Sequence, residues 1–184
     1  MKIKANLLLA ALALGLAGTG AHSQILELDL SGMVSRTENA VYAEIVDRKL
    51  FRIDHPIDGP ELYFTTLTLR GESLYDGTSI TTKVTFPGGY DPETGEGVWN
   101  SEAPIPDDIR IGNRIVAFYK WIDNMGGDVQ GNVLYAAHGG LFRTTTSPSG
   151  TVVLGRGEGY AIGTNVKLEN LRSQIAQARQ IKKQ

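Results

Sequence analysis

The 184-residue chain contains no cysteine. That absence excludes disulfide staples, thiolate metal sites, a cysteine nucleophile and lipid attachment behind an export signal. Histidine is scarce too: the 3 present are His22, His55 and His138, and no two of them stand at a metal-ligand spacing. No single sign of charge dominates, since 18 Lys and Arg face 20 Asp and Glu for a net charge of −2. Such a chain has no electrostatic pull toward nucleic acid or an anionic lipid surface. Its only dense basic stretch is Lys182-Lys183. No Gly-x-Ser-x-Gly elbow occurs, and no phosphate loop with a Lys-Ser/Thr pair, so no motif specifies a reaction. Long hydrophobic runs are missing as well. The longest, Asn6 to Ala17, is about a dozen residues against the roughly 20 that cross a bilayer.

That short run is nonetheless the most informative stretch present. Lys2 and Lys4 precede it, and Ala21-His22-Ser23 follows with small residues at the two positions a signal peptidase reads. Residues 1–23 are expected to be a cleaved export signal of bacterial type. Cleavage removes two lysines and no acid, leaving 161 residues from Gln24 with a net charge of −4. The expectation is a single domain over 24–184, periplasmic or extracellular, with no membrane span after cleavage. Without bridges it must rely on its own packing, which this length permits.

Periodicity places the elements. Leu30–Glu38 reads as a short helix weakened by Gly32. Val41 to Ile53 reads as a strand, with Val41, Ala43 and Ile45 alternating against Tyr42, Glu44 and Val46. Residues 54–60 hold two prolines and a glycine and form a loop. A Thr-rich strand covers 61–70, an Asp-Gly turn 75–78, and a strand of clear period two 79–86. Residues 87–108, with Pro87, Pro92, Pro104 and Pro106, form a long loop. Arg114 to Ile122 is apolar on both faces, as a covered strand should be. Short strands follow at 133–137, 141–146 and 151–154, then a glycine-rich crossing at 155–163. Leu168, Leu171, Ile175 and Ala178 make one apolar stripe, predicting a terminal helix over about 165–182. The class is therefore mainly β: a small antiparallel barrel or sandwich with a C-terminal α-helix.

The segment order carries a resemblance. Thr85-Phe86-Pro87-Gly88-Gly89, then Ile109-Arg110-Ile111-Gly112-Asn113-Arg114-Ile115-Val116-Ala117-Phe118, then Gly139-Gly140-Leu141-Phe142-Arg143 and a helix resemble a group of uncharacterised exported bacterial proteins. The layout is also similar to netrin-like and inhibitor domains on five-stranded OB barrels. The resemblance implies a barrel and export, and no activity. The disulfides and N-terminal Cys of the inhibitor domains are missing, with Gln24 standing where that Cys would be.

Several residues are of types that could carry chemistry. Asp54, His55 and Asp58 are possible ligands in five positions, but the loop lacks metal-ligand spacing, and no metal or cofactor is expected. His138-Gly139-Gly140 resembles an oxyanion loop without its serine elbow, so the glycines are expected to make a bend between strands. Gly155, Gly157 and Gly159 lack the helix a nucleotide loop requires, and alternate glycines more often mark close packing of another backbone. Paired carboxylates for glycoside hydrolysis cannot be chosen by spacing alone. What remains is the long loop. It carries Tyr90 and Trp99 as aromatic anchors and Asp91, Glu93 and Glu96 as a polar rim, the expected ligand-binding residues. Tyr119 and Trp121, two apart on the apolar strand, are expected on one face. The leading expectation is an exported non-catalytic binding or accessory domain for a protein or glycan. The alternative is a small secreted hydrolase with His138 as general base.

Overall fold

The computed structural model describes residues 28–55, 57 and 59–181. The expected export signal at residues 1–23 therefore lies outside the described residues, as does Asp58. Among them are ten strands and two helices in the order α1 (Leu30–Arg36), β1 (Asn39–Ile53), β2 (Leu62–Ser73), β3 (Ser79–Pro87), β4 (Gly89–Tyr90), β5 (Gly97–Val98), β6 (Arg114–Ile122), β7 (Gly131–Leu134), β8 (Leu141–Ser147), β9 (Gly150–Val153), β10 (Val166–Lys167) and α2 (Leu168–Ile181). A single turn of 3₁₀ helix, Ala137–Gly140, joins β7 to β8.

Five strands close on themselves. β1 pairs with β2, β2 with β3, β3 with β7, β7 with β6, and β6 returns to β1 from Asn39↔Tyr119 to Glu44↔Arg114. This barrel is compatible with an OB-like layout. All its pairings are antiparallel except one: β3 and β7 run parallel at Thr85↔Val133. Of the two expected architectures the barrel is the one formed, and β8, β9 and β10 extend the sheet outward from β6.

A bulge controls which residues line the interior. The β1–β2 register shifts between Ile45 and Asp47, leaving Val46 without a partner. Before it, Val41, Ala43 and Ile45 face the interior cluster with Leu67, Leu69, Val84, Phe86, Ile115, Ala117, Tyr119, Leu134 and Leu141. Unbroken alternation would carry Asp47, Lys49 and Phe51 into that interior. The extra residue turns them outward.

A second core lies outside the barrel wall. Ala40 and Tyr42 of β1, Val116 and Phe118 of β6, Phe142 and Val153 pack against Met33 and Val34 of α1 and Leu168, Leu171 and Ile175 of α2. β6 and the first half of β1 are thus apolar on both faces because both faces are covered, as the sequence of 114–122 predicts for β6. The Asp29 carboxylate caps α1 by accepting the Gly32 N–H at 2.6 Å, so the helix forms despite that glycine. α2 is tied down by an Arg172–Glu72 ion pair and by Arg179, which lies 4.4 Å over the Tyr75 ring.

The glycine readings gain a physical reason. A Cβ on Gly140 would stand 1.9 Å from the Tyr135 carbonyl oxygen, so the turn between β7 and β8 admits no side chain there. One on Gly155 would meet the Gly163 and Thr164 backbone at 2.5–2.6 Å, the close approach expected of this segment.

Candidate functional site

Residues 88–113 connect β3 to β6 as a cap over one end of the barrel, held at many points. Thr65 donates its hydroxyl to the Gly88 carbonyl at 2.9 Å, and Gly88 donates its N–H to Tyr63 at 2.7 Å. Ala103 and Ile109 are buried in the interior cluster. The Asn113 side-chain amide donates to the carbonyls of Asp107 and Asp108. The Glu102 carbonyl accepts both the His138 backbone N–H at 2.8 Å and its Nδ1 at 2.9 Å.

The firmest anchor is Asp108, only 3 % exposed. Arg156 donates to its Oδ2 at 2.8 Å and also to the Leu141 carbonyl at 2.9 Å. Arg143 Nε lies 3.1 Å from Oδ1, an ion pair without hydrogen-bond alignment. A carboxylate this deep holds only because both oxygens face guanidinium groups.

Above these buried feet the cap is apolar and open. Trp99 is 65 % exposed, Ile111 63 %, Val98 50 %, Ile105 49 % and Tyr90 39 %. Tyr90 and Trp99, the expected anchors, are brought together by the short β4–β5 pairing and line one small cavity of about 20 Å³ with Ile105, Pro104 and Pro106. Asp91 opens the hairpin turn, its carboxylate accepting the Glu93 N–H at 3.0 Å. It also lines a neighbouring cavity of about 60 Å³ with Arg48, Leu50 and Thr65. Glu93 and Glu96 stand exposed on the turn and line neither cavity. Sequence reasoning did not single out Val98, Ile105 and Ile111. Their signal was present: each is a β-branched residue in a Pro/Gly-rich loop that cannot bury all of its apolar side chains.

His138 sits in the 3₁₀ turn. With Nδ1 on a carbonyl, the neutral ring carries its proton there, and Nε2 accepts from the Tyr160 hydroxyl at 3.0 Å. Both ring nitrogens thus have protein partners. His55 turns its Nδ1 back onto the Ile57 backbone. Among the described residues, no three His, Asp or Glu side chains converge as a metal site. Tyr119 and Trp121 differ in burial: Tyr119 is 4 % exposed in the interior cluster, whereas Trp121 is 49 % exposed. Among the described residues no helix is long and apolar enough to cross a membrane. No protein-family model, no curated protein and no solved structure matches the chain.

Proposed function

We propose that the protein is an exported, non-catalytic binding or accessory domain that engages a protein or glycan through the cap at residues 88–113. One observation carries the reading. Five of the eight exposed large apolar side chains among the described residues lie in this single connection, whose feet are buried and ion-paired. Exposed apolar side chains scattered singly are ordinary, but gathered on one anchored segment they favour an interaction surface. A fixed loop that keeps them outward loses little entropy on docking. The same connection carries Asp91 and the exposed Glu93, Glu96 and Glu102, which favour a partner with basic or hydrogen-bond-donating edges. The pairing of His138 supports a positioning role for it, since it joins the cap to the 3₁₀ turn.

The test is site-specific photocrosslinking in the producing cell. A photoreactive residue at Trp99 or Ile105 is expected to give a discrete adduct that the same group at exposed Glu169 on α2 does not. Equal labelling from all three positions would overturn the reading. Fractionation of the same cells checks export, with mature protein expected outside the cytoplasm.

A further inference from the structure

One strand edge of the barrel is bare while its neighbours are used. β1 is bonded on both sides only as far as Ile45, whose N–H donates to the Asn113 carbonyl at 2.9 Å and whose carbonyl accepts the Gly112 N–H at 2.8 Å. Beyond the bulge, residues 47–53 keep an unbroken register with β2, from Asp47↔Thr68 to Ile53↔Leu62. On their other side no described strand pairs with them. The direction of their backbone groups follows from β2. The Tyr63 carbonyl accepts the Gly88 N–H on the β3 side, so Arg52, directly opposite Tyr63, turns its own N–H and carbonyl away from β2. By alternation Leu50 and Arg48 do the same. Among the described residues, none bonds these three N–H groups or three carbonyls.

The edge of β3 before Thr85 differs. There the Asn132 side-chain amide donates to the Lys83 carbonyl at 3.3 Å and to the Thr82 hydroxyl at 3.2 Å, so that edge is partly covered. β1 has no such cover, and residues 47–53 at strand spacing make a bare edge of roughly 20 Å. Its two faces are unlike. Arg48, Leu50 and Arg52 lie on the face of Leu67 and the barrel interior, and Arg48 and Leu50 line the cavity they share with Tyr90 and Ile109 of the cap. Asp47, Lys49 and Phe51 lie on the outer face. Ile111, 63 % exposed, immediately precedes the Gly112 that closes the ladder.

We propose that residues 47–53 accept an extended segment of a partner protein as an added strand, continuing the line of β6 beyond Asn113 with apolar side chains alternating toward Leu50 and Tyr90. Three observations select this occupant. Unbonded N–H and carbonyl groups repeating every second residue, roughly 7 Å apart, match another polypeptide backbone, and neither a sugar chain nor a nucleic acid offers that repeat. Charge along the edge is balanced, with Asp47 and Asp54 beside Arg48 and Lys49 and with Arg52 on Glu61 at 3.0 Å, so recognition falls to the backbone. A second copy fits poorly. Antiparallel pairing of 47–53 with itself centres on Leu50 and sets Arg48 opposite Arg52 twice, and like charges directly opposite destabilise a pair. The site adjoins the cap and is separate from it.

The probe is a set of nine-residue peptides selected on the full chain from a random phage-displayed library and then synthesised. Enriched sequences are expected to alternate apolar and polar residues. Amide hydrogen exchange read by NMR should slow at least tenfold at Arg48, Leu50 and Arg52 when peptide is added. Lys49 and Phe51, already bonded to β2, should not change. N-methylation of alternate peptide residues should weaken binding at least tenfold. So should Leu50→Pro, which removes an N–H the ladder does not use; if that variant loses cooperative urea unfolding, the N-methylated peptides decide alone. The proposal is overturned if no peptide is enriched, if bound peptides slow none of the three edge amides, or if the N-methylated forms bind equally. It is also overturned if the unbound chain sediments as a dimer with those amides already slow, which makes a second copy the occupant. Cap adducts at Trp99 or Ile105 without edge protection sink this proposal alone, and edge protection without cap adducts sinks only the cap reading.

Discussion

One wall of the barrel is covered on its outside and the other is bare, and a single strand supplies part of both. In its first half β1 sends Ala40 and Tyr42 outward under α1 and α2. In its second half the outward residues are Asp47, Lys49 and Phe51, under nothing but solvent and the β6–β7 connection. The bulge at Val46 is where the strand changes from one regime to the other. The lesson is that apolar content on an outer barrel face reports cover, whereas polar content with standing aromatics reports a surface left available.

The strongest way to break this comparison is to truncate matched aromatics on the two walls. Phe118→Ala on the covered wall should cost about 3–5 kcal/mol in urea unfolding, because a fully buried ring leaves a cavity. Phe51→Ala on the bare wall should cost about 1 kcal/mol, a surface loss with room to relax. Equal losses would show that the bare wall is core after all. Next in size is Asp108→Asn, expected to cost about 1.5–3 kcal/mol, the range for hydrogen bonds to charged groups. The same variant should raise proteolytic cleavage within 90–106, since the cap loses its deepest anchor. Trp99→Ala should change stability by less than about 0.5 kcal/mol, as befits an exposed side chain.

The smallest effect is alkaline and reports on the covered side through Tyr75 and on the barrel interior through Tyr119. Burial pushes the Tyr75 and Tyr119 phenols above their ordinary value of 10.0. For Tyr75 this outweighs its Thr37 hydrogen bond and the nearby Arg179. The folded state then keeps protons that the unfolded chain has given up. The contribution is whole below pH 10 and is lost as pH rises through the raised values. Tyrosinate absorbance should show a late-titrating fraction that shrinks in Tyr75→Phe.

Much of the architecture was legible in order of locality. The Leu168, Leu171, Ile175 stripe predicts α2, and Asp76-Gly77 predicts the β2–β3 turn, where Thr78 N–H and hydroxyl both bond to Asp76. The two-sided apolar run at 114–122 predicts a covered strand. A barrel was one of the two expected architectures, but which strands close it and the parallel β3–β7 contact were not legible, because they depend on pairings between distant segments. Tyr90 and Trp99 could be named as anchors because a loop of prolines and glycines stood out. Asp108 could not, since Asp107-Asp108 beside a proline reads as a hydrated turn until Arg143 and Arg156 arrive from other strands. Arg48, Leu50 and Arg52 read as ordinary strand residues until the bulge and the β2 register show which edge their backbones face.

The β1–β6 seam also has a kinetic consequence. Asn39 meets Tyr119 only after the whole β2–β3 meander and the cap have been spanned, so the first strand waits for the fourth barrel strand. Such non-local zippering is slow compared with hairpin formation. A chain halted before residue 114 would hold its meander with Ala40, Val41 and Tyr42 unsheltered. Commitment to the native topology therefore comes late, when the segment at 114–119 arrives and the cylinder shuts.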